Sequence, residues 1–74
     1  MKGFWQHVNG KVYAVRSDTF GHITGAAGPL DPRRLRDLDD YDYEPGITGW
    51  IARAIARHEL SRIDPKDRSL AVGN

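Results

Sequence analysis

The most informative segment of the chain is FWQHVNGKVYAV, residues 4–15. Asparagine and glycine tolerate the positive φ angles of a two-residue type I′ turn better than other residues, and the flanking runs are rich in aromatic and β-branched side chains. The segment therefore predicts a β-hairpin with Asn9-Gly10 at its tip. Counting outward from that turn predicts that Phe4 faces Val15 on the opposite strand.

In this predicted register both faces of the hairpin are largely apolar or aromatic. The residues of one face are Phe4, Gln6, Val8, Lys11, Tyr13 and Val15. The residues of the other face are Trp5, His7, Val12 and Ala14. Because a single helix covers only one face of a small sheet, we expect a loop, the C-terminal tail or a partner protein to cover the second face.

Downstream of the hairpin, the sequence predicts a third strand and two helices. Phe20–Ala26 has few apolar residues and two glycines, which favours a strand at the edge of the sheet. Asp31 is a good N-cap and Pro32 a good first helical residue, so a short helix ending near Leu38 is expected. Apolar residues spaced three or four apart predict the main helix over about 47–62. The predicted fold is therefore α+β, with a small antiparallel sheet packed against one main C-terminal helix and a short helix between them.

Length and composition limit what the chain can be. Its 74 residues support one small domain, expected over residues 1–63, followed by a flexible tail over residues 64–74. The absence of cysteine excludes disulfides and thiolate sites. No apolar run approaches the length of a membrane span or of a signal-peptide core, so we expect a cytoplasmic protein of bacterial type that does not bind membranes.

Charge is distributed unevenly along the chain, although the formal net charge is only +1. Residues 31–45 carry six acids against three arginines, whereas residues 46–74 carry five basic residues against three acids. Arg53 and Arg57 lie one turn apart on the main predicted helix. Because the acidic and basic segments adjoin in sequence, pairing between them is the favoured interpretation, and a patch for phosphate or for an acidic protein is the alternative.

None of the motifs that carry catalysis or cofactor binding is complete. The glycines of residues 21–28 fit neither of the common phosphate-loop spacings. The three histidines lack the spacing of a metal site, and no cysteine assists them. The acids of residues 37–44 lack the glycine and the final glutamate of a calcium loop. We therefore expect no enzyme activity, no cofactor and no metal site.

The predicted function is a small non-catalytic protein-interaction module. Its partner is expected to be another protein or a second copy of the chain, which would form a homodimer through an exposed apolar sheet face. The residues of the candidate interaction surface are Trp5, His7, Tyr13, Lys11, Arg53 and Arg57. The alternative is a nucleic-acid-binding domain that uses sheet aromatics and helix arginines, although a net charge of only +1 argues against it.

Overall fold

The computed structural model describes residues 1–65 and contains a four-stranded antiparallel sheet with one main helix. The strands are β1 (Lys2–His7), β2 (Val12–Ser17), β3 (Ile23–Leu30) and β4 (Leu60–Ile63), in the spatial order β3-β2-β1-β4. A single turn of 3₁₀ helix spans Leu38–Asp40, and the main helix, α1, spans Thr48–Ala56. The α+β fold class is confirmed, as are the hairpin and the edge position of the third strand. Most of the predicted tail lies outside the described residues.

The hairpin turn contains three loop residues, 8–10, rather than the predicted two. The loop is closed by His7 N–H donating to Lys11 O (2.8 Å) and by Gly10 N–H donating to His7 O (2.9 Å). Gly10 has a φ of 94°, whereas Asn9 keeps a negative φ. Asn9 acts instead through its side chain, whose Oδ1 accepts a hydrogen bond from Lys11 N–H (2.9 Å). The Asn-Gly pair therefore serves a three-residue loop with one left-handed glycine.

This longer loop shifts the strand pairing by one residue. Phe4 faces Ala14 and Trp5 faces Tyr13, so the predicted pairing of Phe4 with Val15 is wrong. Because cross-strand partners share a face, Tyr13 and Val15 lie on the same face as Trp5, and Ala14 lies on the face of Phe4. The two faces of the hairpin are therefore composed differently from the prediction.

Both faces of the sheet are covered by other parts of the same chain. The buried residues of the core under α1 are Tyr13, Val15, Ala26, Ile51, Ala54 and Leu60. The buried residues of the opposite core are Phe4, Val12 and Ala14. Residues 31–44, which we call the covering segment, pack on this core through Leu35, Leu38, Tyr41 and Tyr43. Of the three predicted covers for the second face, the loop is the one that the structure shows. The described chain leaves neither face of the hairpin open.

Polar contacts hold the covering segment, residues 31–44, in place. The Tyr43 hydroxyl donates a hydrogen bond to Leu38 O over 2.6 Å. Burial raises the pKa of that phenol, and the neighbouring Asp39 carboxylate raises it further. The Lys2 ammonium donates to Asp39 Oδ1 over 2.7 Å, and this bond holds the pKa of Asp39 below its ordinary value. The segment is therefore attached to β1 by an ion pair as well as by apolar packing.

The predicted short helix beginning at Pro32 does not form. Asp31 does use its side chain as a cap, with Oδ1 accepting a hydrogen bond from Arg33 N–H over 2.9 Å, but it caps a turn. A helix of so few residues is marginally stable without tertiary contacts, because the conformational entropy lost in forming the first turn exceeds the stabilisation from its one hydrogen bond. The predicted continuation of α1 to residue 62 is also wrong, because β4 occupies that part of the chain.

α1 ends through a C-terminal cap that contains no glycine. His58 has a φ of 60°, and its N–H donates to Ile55 O over 3.0 Å. Glu59 N–H donates to Ala54 O over 2.8 Å. These two bonds define a Schellman motif, in which the left-handed position is most often glycine. His58 therefore occupies the left-handed position at which the helix ends.

Replacing His58 with glycine is expected to stabilise the protein by about 0.5–1 kcal/mol, because glycine adopts a positive φ without the steric cost of a Cβ. His58→Ala is the matched control, since it removes the imidazole but keeps the Cβ, and it is expected to bring no gain. Urea denaturation of the three proteins measures the difference as a shift of the midpoint at constant slope. Equal midpoints for the glycine and alanine variants would contradict the left-handed cap.

Candidate interaction surface

Three aromatic rings stack where the hairpin meets α1. The Trp50 indole lies 5.3 Å from the His7 imidazole, centroid to centroid, with an interplanar angle of 22°. The centroid of the Trp50 ring also lies 5.3 Å from that of the Tyr13 ring, and these two rings are tilted by an interplanar angle of 55°. Tyr13 is buried and the His7 side chain is 13% exposed, whereas Trp50 is 38% exposed. Trp50 is therefore the outer ring of the stack and the ring that a partner can reach.

Trp50 stands at the border of the buried stripe of α1. Ile51 and Ala54 are buried against the sheet. Arg53 and Arg57 follow Trp50 by three and seven positions, so at 3.6 residues per turn they lie on the same side of the helix as the indole. Both arginines are exposed. The helix therefore presents an indole and two guanidinium groups on one flank.

Lys11 adds a third basic residue to this region. It is exposed and lies opposite His7, whose N–H donates to its carbonyl. It precedes Tyr13 by two residues, so strand alternation places its side chain on the α1 side of the sheet. We define the aromatic–basic surface as Trp50, His7, Lys11, Arg53 and Arg57.

The basic side chains of this surface are not neutralised by the acidic segment. Within residues 1–65, Arg53, Arg57 and Lys11 form no ion pair. The covering segment lies on the sheet face opposite α1, and its acids pair with Lys2 and Arg34. The favoured pairing of the helix arginines with the acidic segment is therefore wrong for the described chain.

One carboxylate does border the aromatic stack. Glu59 Oε1 lies 3.9 Å from His7 Nε2, and the Glu59 side chain is 42% exposed. Glu59 immediately precedes β4, and its carbonyl accepts a hydrogen bond from Val8 N–H over 2.9 Å. The surface thus combines three basic side chains with one acid beside the imidazole, which leaves an excess of positive charge.

Four of the six residues predicted for the interaction surface, namely His7, Lys11, Arg53 and Arg57, belong to the aromatic–basic surface. Tyr13 is 7% exposed and lies under Trp50, so it supports the surface from below. Trp5 is half-buried farther along β1, outside the stack. Trp50 is not among the residues predicted for the surface. Its place on the helical wheel beside the two arginines is the signal by which the sequence could have assigned it to the surface.

A second exposed aromatic side chain lies at the turn between β2 and β3. Phe20 is 84% exposed there. Asp18 orders the turn, because its Oδ1 accepts hydrogen bonds from Phe20 N–H and His22 N–H, both over 2.9 Å. The bond from His22 N–H is the main reason that the pKa of Asp18 lies below its ordinary value. This turn carries no part of the aromatic–basic surface.

Residues 1–65 contain no group of three or more His, Cys, Asp or Glu side chains that could hold a metal ion. No helix in that range combines the length and the apolar character needed to cross a membrane. Compared with known proteins, the chain matches no family model, no curated protein and no solved structure.

Proposed function

We propose that this protein is a small non-catalytic cytoplasmic module that binds an acidic segment of a partner protein through the aromatic–basic surface. The proposal depends chiefly on one observation: Arg53 and Arg57 flank a half-exposed indole and form no ion pair within residues 1–65. Trp and Arg are among the residues that contribute most to binding at protein interfaces. The arginine fork also matches a carboxylate with two parallel hydrogen bonds.

The charges of α1 and of the covering segment, which lie on opposite faces of the sheet, support an acidic partner. α1 and its C-cap residue Arg57 together carry two arginines and no acid, whereas the covering segment, residues 31–44, carries six acids and three arginines. These layers lie on opposite faces of the sheet. An acidic peptide is therefore attracted to one side of the molecule and repelled from the other, which favours a single binding orientation.

The first test measures binding of a fluorescein-labelled oligoglutamate peptide by fluorescence anisotropy at low salt. The double variant Arg53→Gln/Arg57→Gln is expected to bind about tenfold more weakly than the wild type, because each arginine loses a charge-assisted hydrogen bond. Added salt is expected to weaken wild-type binding, since the contacts are exposed to solvent.

The matched control is Arg33→Gln/Arg34→Gln, which removes the same charge from the covering segment on the other side of the sheet. It is expected to leave peptide binding unchanged. An equal loss in both double variants would mean that only net charge matters. That result, or a wild type that does not bind the peptide, would contradict the proposed surface.

A second candidate function is binding of single-stranded nucleic acid, favoured by the exposed outer ring of the stack. Proteins that bind single strands without sequence preference combine basic side chains with aromatic rings on which bases stack. Trp50 is the ring available for this, and Arg53 lies one turn away. The same anisotropy measurement with labelled oligothymidylate separates the two candidates. Tighter binding of oligothymidylate than of oligoglutamate, with quenching of Trp50 fluorescence, would favour nucleic acid.

A further inference from the structure

A separate cavity lies on the α1 side of the sheet, at the Gly3 end of β1, whereas Trp50 stacks at the His7 end. Its volume is about 320 Å³. Among the larger apolar side chains that line it are Trp5, Val15, Ile23 and Ile55. Val15 is buried, but the other three are only half-buried. The cavity therefore has apolar walls from three strands and from α1.

The charged side chains that line this cavity are basic. Among the described residues they are Lys2 and Arg62, and neither Asp nor Glu lines the cavity. Met1, whose N-terminal ammonium donates to Ser17 O over 2.6 Å, also lines it. The Lys2 ammonium is already bonded to Asp39 of the covering segment. Arg62 is therefore the side chain best placed to supply positive charge to a molecule in the cavity.

Gly3 allows Arg62 to lie across the sheet beside the cavity. Arg62 of β4 faces Trp5 of β1 in the strand pairing. A Cβ added to Gly3 would lie 3.0 Å from both Nε and Nη2 of Arg62, so the guanidinium lies directly over the glycine. A Cβ at this position would require the guanidinium to shift by a few tenths of an ångström.

We propose that this cavity binds a small amphipathic anion, a carboxylate with an aliphatic chain. The chain lies against Trp5, Ile23 and Ile55, and the carboxylate accepts hydrogen bonds from the Arg62 guanidinium. The volume of the cavity is at the lower end of the range for small-molecule sites, roughly 300–1,000 Å³. Apolar walls with the Arg62 guanidinium beside them match the two ends of such a ligand. This site is independent of the aromatic–basic surface.

The test uses octanoate as the probe and a Trp50→Phe variant, in which Trp5 is the single tryptophan. We expect octanoate to cause a saturable change in Trp5 fluorescence. Octanol, which lacks the carboxylate, and acetate, which lacks the aliphatic chain, are expected to bind much more weakly. Calorimetric titration of the wild-type protein with octanoate is the second measurement, which does not depend on the Trp50 variant. Octanol binding as tightly as octanoate, or no saturable binding in either measurement, would overturn the proposal.

Two variants identify the anion-binding group. Arg62→Gln is expected to weaken octanoate binding about tenfold, and Gly3→Ala, which only shifts the guanidinium, is expected to weaken it less. Gly46→Ala is the matched control, because a Cβ at Gly46 meets no atom within 4 Å. Octanoate affinity unchanged in both Gly3→Ala and Arg62→Gln would overturn the assignment. The Arg53→Gln/Arg57→Gln variant is expected to bind octanoate normally, so failure of one proposal is distinguishable from failure of the other.

Discussion

Replacing Phe4 with alanine is expected to lower the free energy of unfolding by about 3–5 kcal/mol, which would unfold most molecules of so small a domain. Phe4 is 7% exposed, and its ring meets the Tyr41 ring edge-on at a centroid distance of 6.0 Å. Val12 and Ala14 beside it are completely buried. Removing the ring therefore leaves a cavity between the sheet and the covering segment, residues 31–44.

The control for this substitution is Phe20→Ala, which removes the same ring from a position that is 84% exposed. It is expected to change the stability by less than about 0.5 kcal/mol. Urea denaturation followed by circular dichroism gives both values. If Phe4→Ala were as stable as Phe20→Ala, the covering segment would not be seated on this face, and the face would be open for a partner.

The packing of residues 31–44 on the second face of the sheet could be predicted only in part. The sequence indicated that both hairpin faces are apolar and that a loop was one possible cover. Leu35, Leu38 and Tyr41 are spread along an acidic segment without helical or strand periodicity, so no local pattern indicated that they share one face. Their common packing against the core of Phe4, Val12 and Ala14 exists only once the chain has folded back over the sheet.

The hairpin itself was predictable, but its register was not. Asn9-Gly10 suits both a two-residue loop and a three-residue loop with a left-handed glycine, and both loops need Gly10 at a positive φ. The sequence does not decide whether Asn9 takes a positive φ or uses its side chain to accept from Lys11 N–H, as it does here. A difference of one loop residue changes every cross-strand partner.

The candidate surface was predictable where it depends on spacing along one helix. Arg53 and Arg57 share a flank in any helix that includes both residues. The exposure of Trp50 depends instead on its stacking with His7, a contact between residues far apart in sequence. The C-terminal end of α1 could not be predicted from the sequence either, because His58 occupies the left-handed position at which glycine usually marks the end of a helix.

Gly28→Ala is expected to destabilise the protein by about 2–4 kcal/mol, although it adds a single methyl group. Gly28 has a φ of 146°, which an L side chain rarely adopts. Its Cβ would lie 2.6 Å from Cδ2 of the buried Tyr13 ring and 3.1 Å from Val12 O. Tyr13 packs against Trp50, so its ring cannot give way without opening the aromatic stack.

Two other glycines separate the contribution of backbone conformation from that of the clash. Gly10→Ala meets no atom within 4 Å but has a φ of 94°, so it is expected to cost only about 1 kcal/mol. Gly46→Ala meets no atom and needs no positive φ, so it is expected to be nearly neutral. A Gly28→Ala variant no less stable than Gly10→Ala would contradict the close approach of Tyr13 to β3.

The same substitution links the core to the proposed function. Tyr13 is the inner ring on which Trp50 rests, so displacing Tyr13 changes the surroundings of the indole. The folded fraction of Gly28→Ala is therefore expected to show altered tryptophan fluorescence and weaker oligoglutamate binding, although Gly28 lies outside the aromatic–basic surface. Gly10→Ala serves as the control, with normal binding per folded molecule. Normal binding by folded Gly28→Ala would mean that the position of Trp50 does not matter for recognition, and the arginines alone would then define the surface.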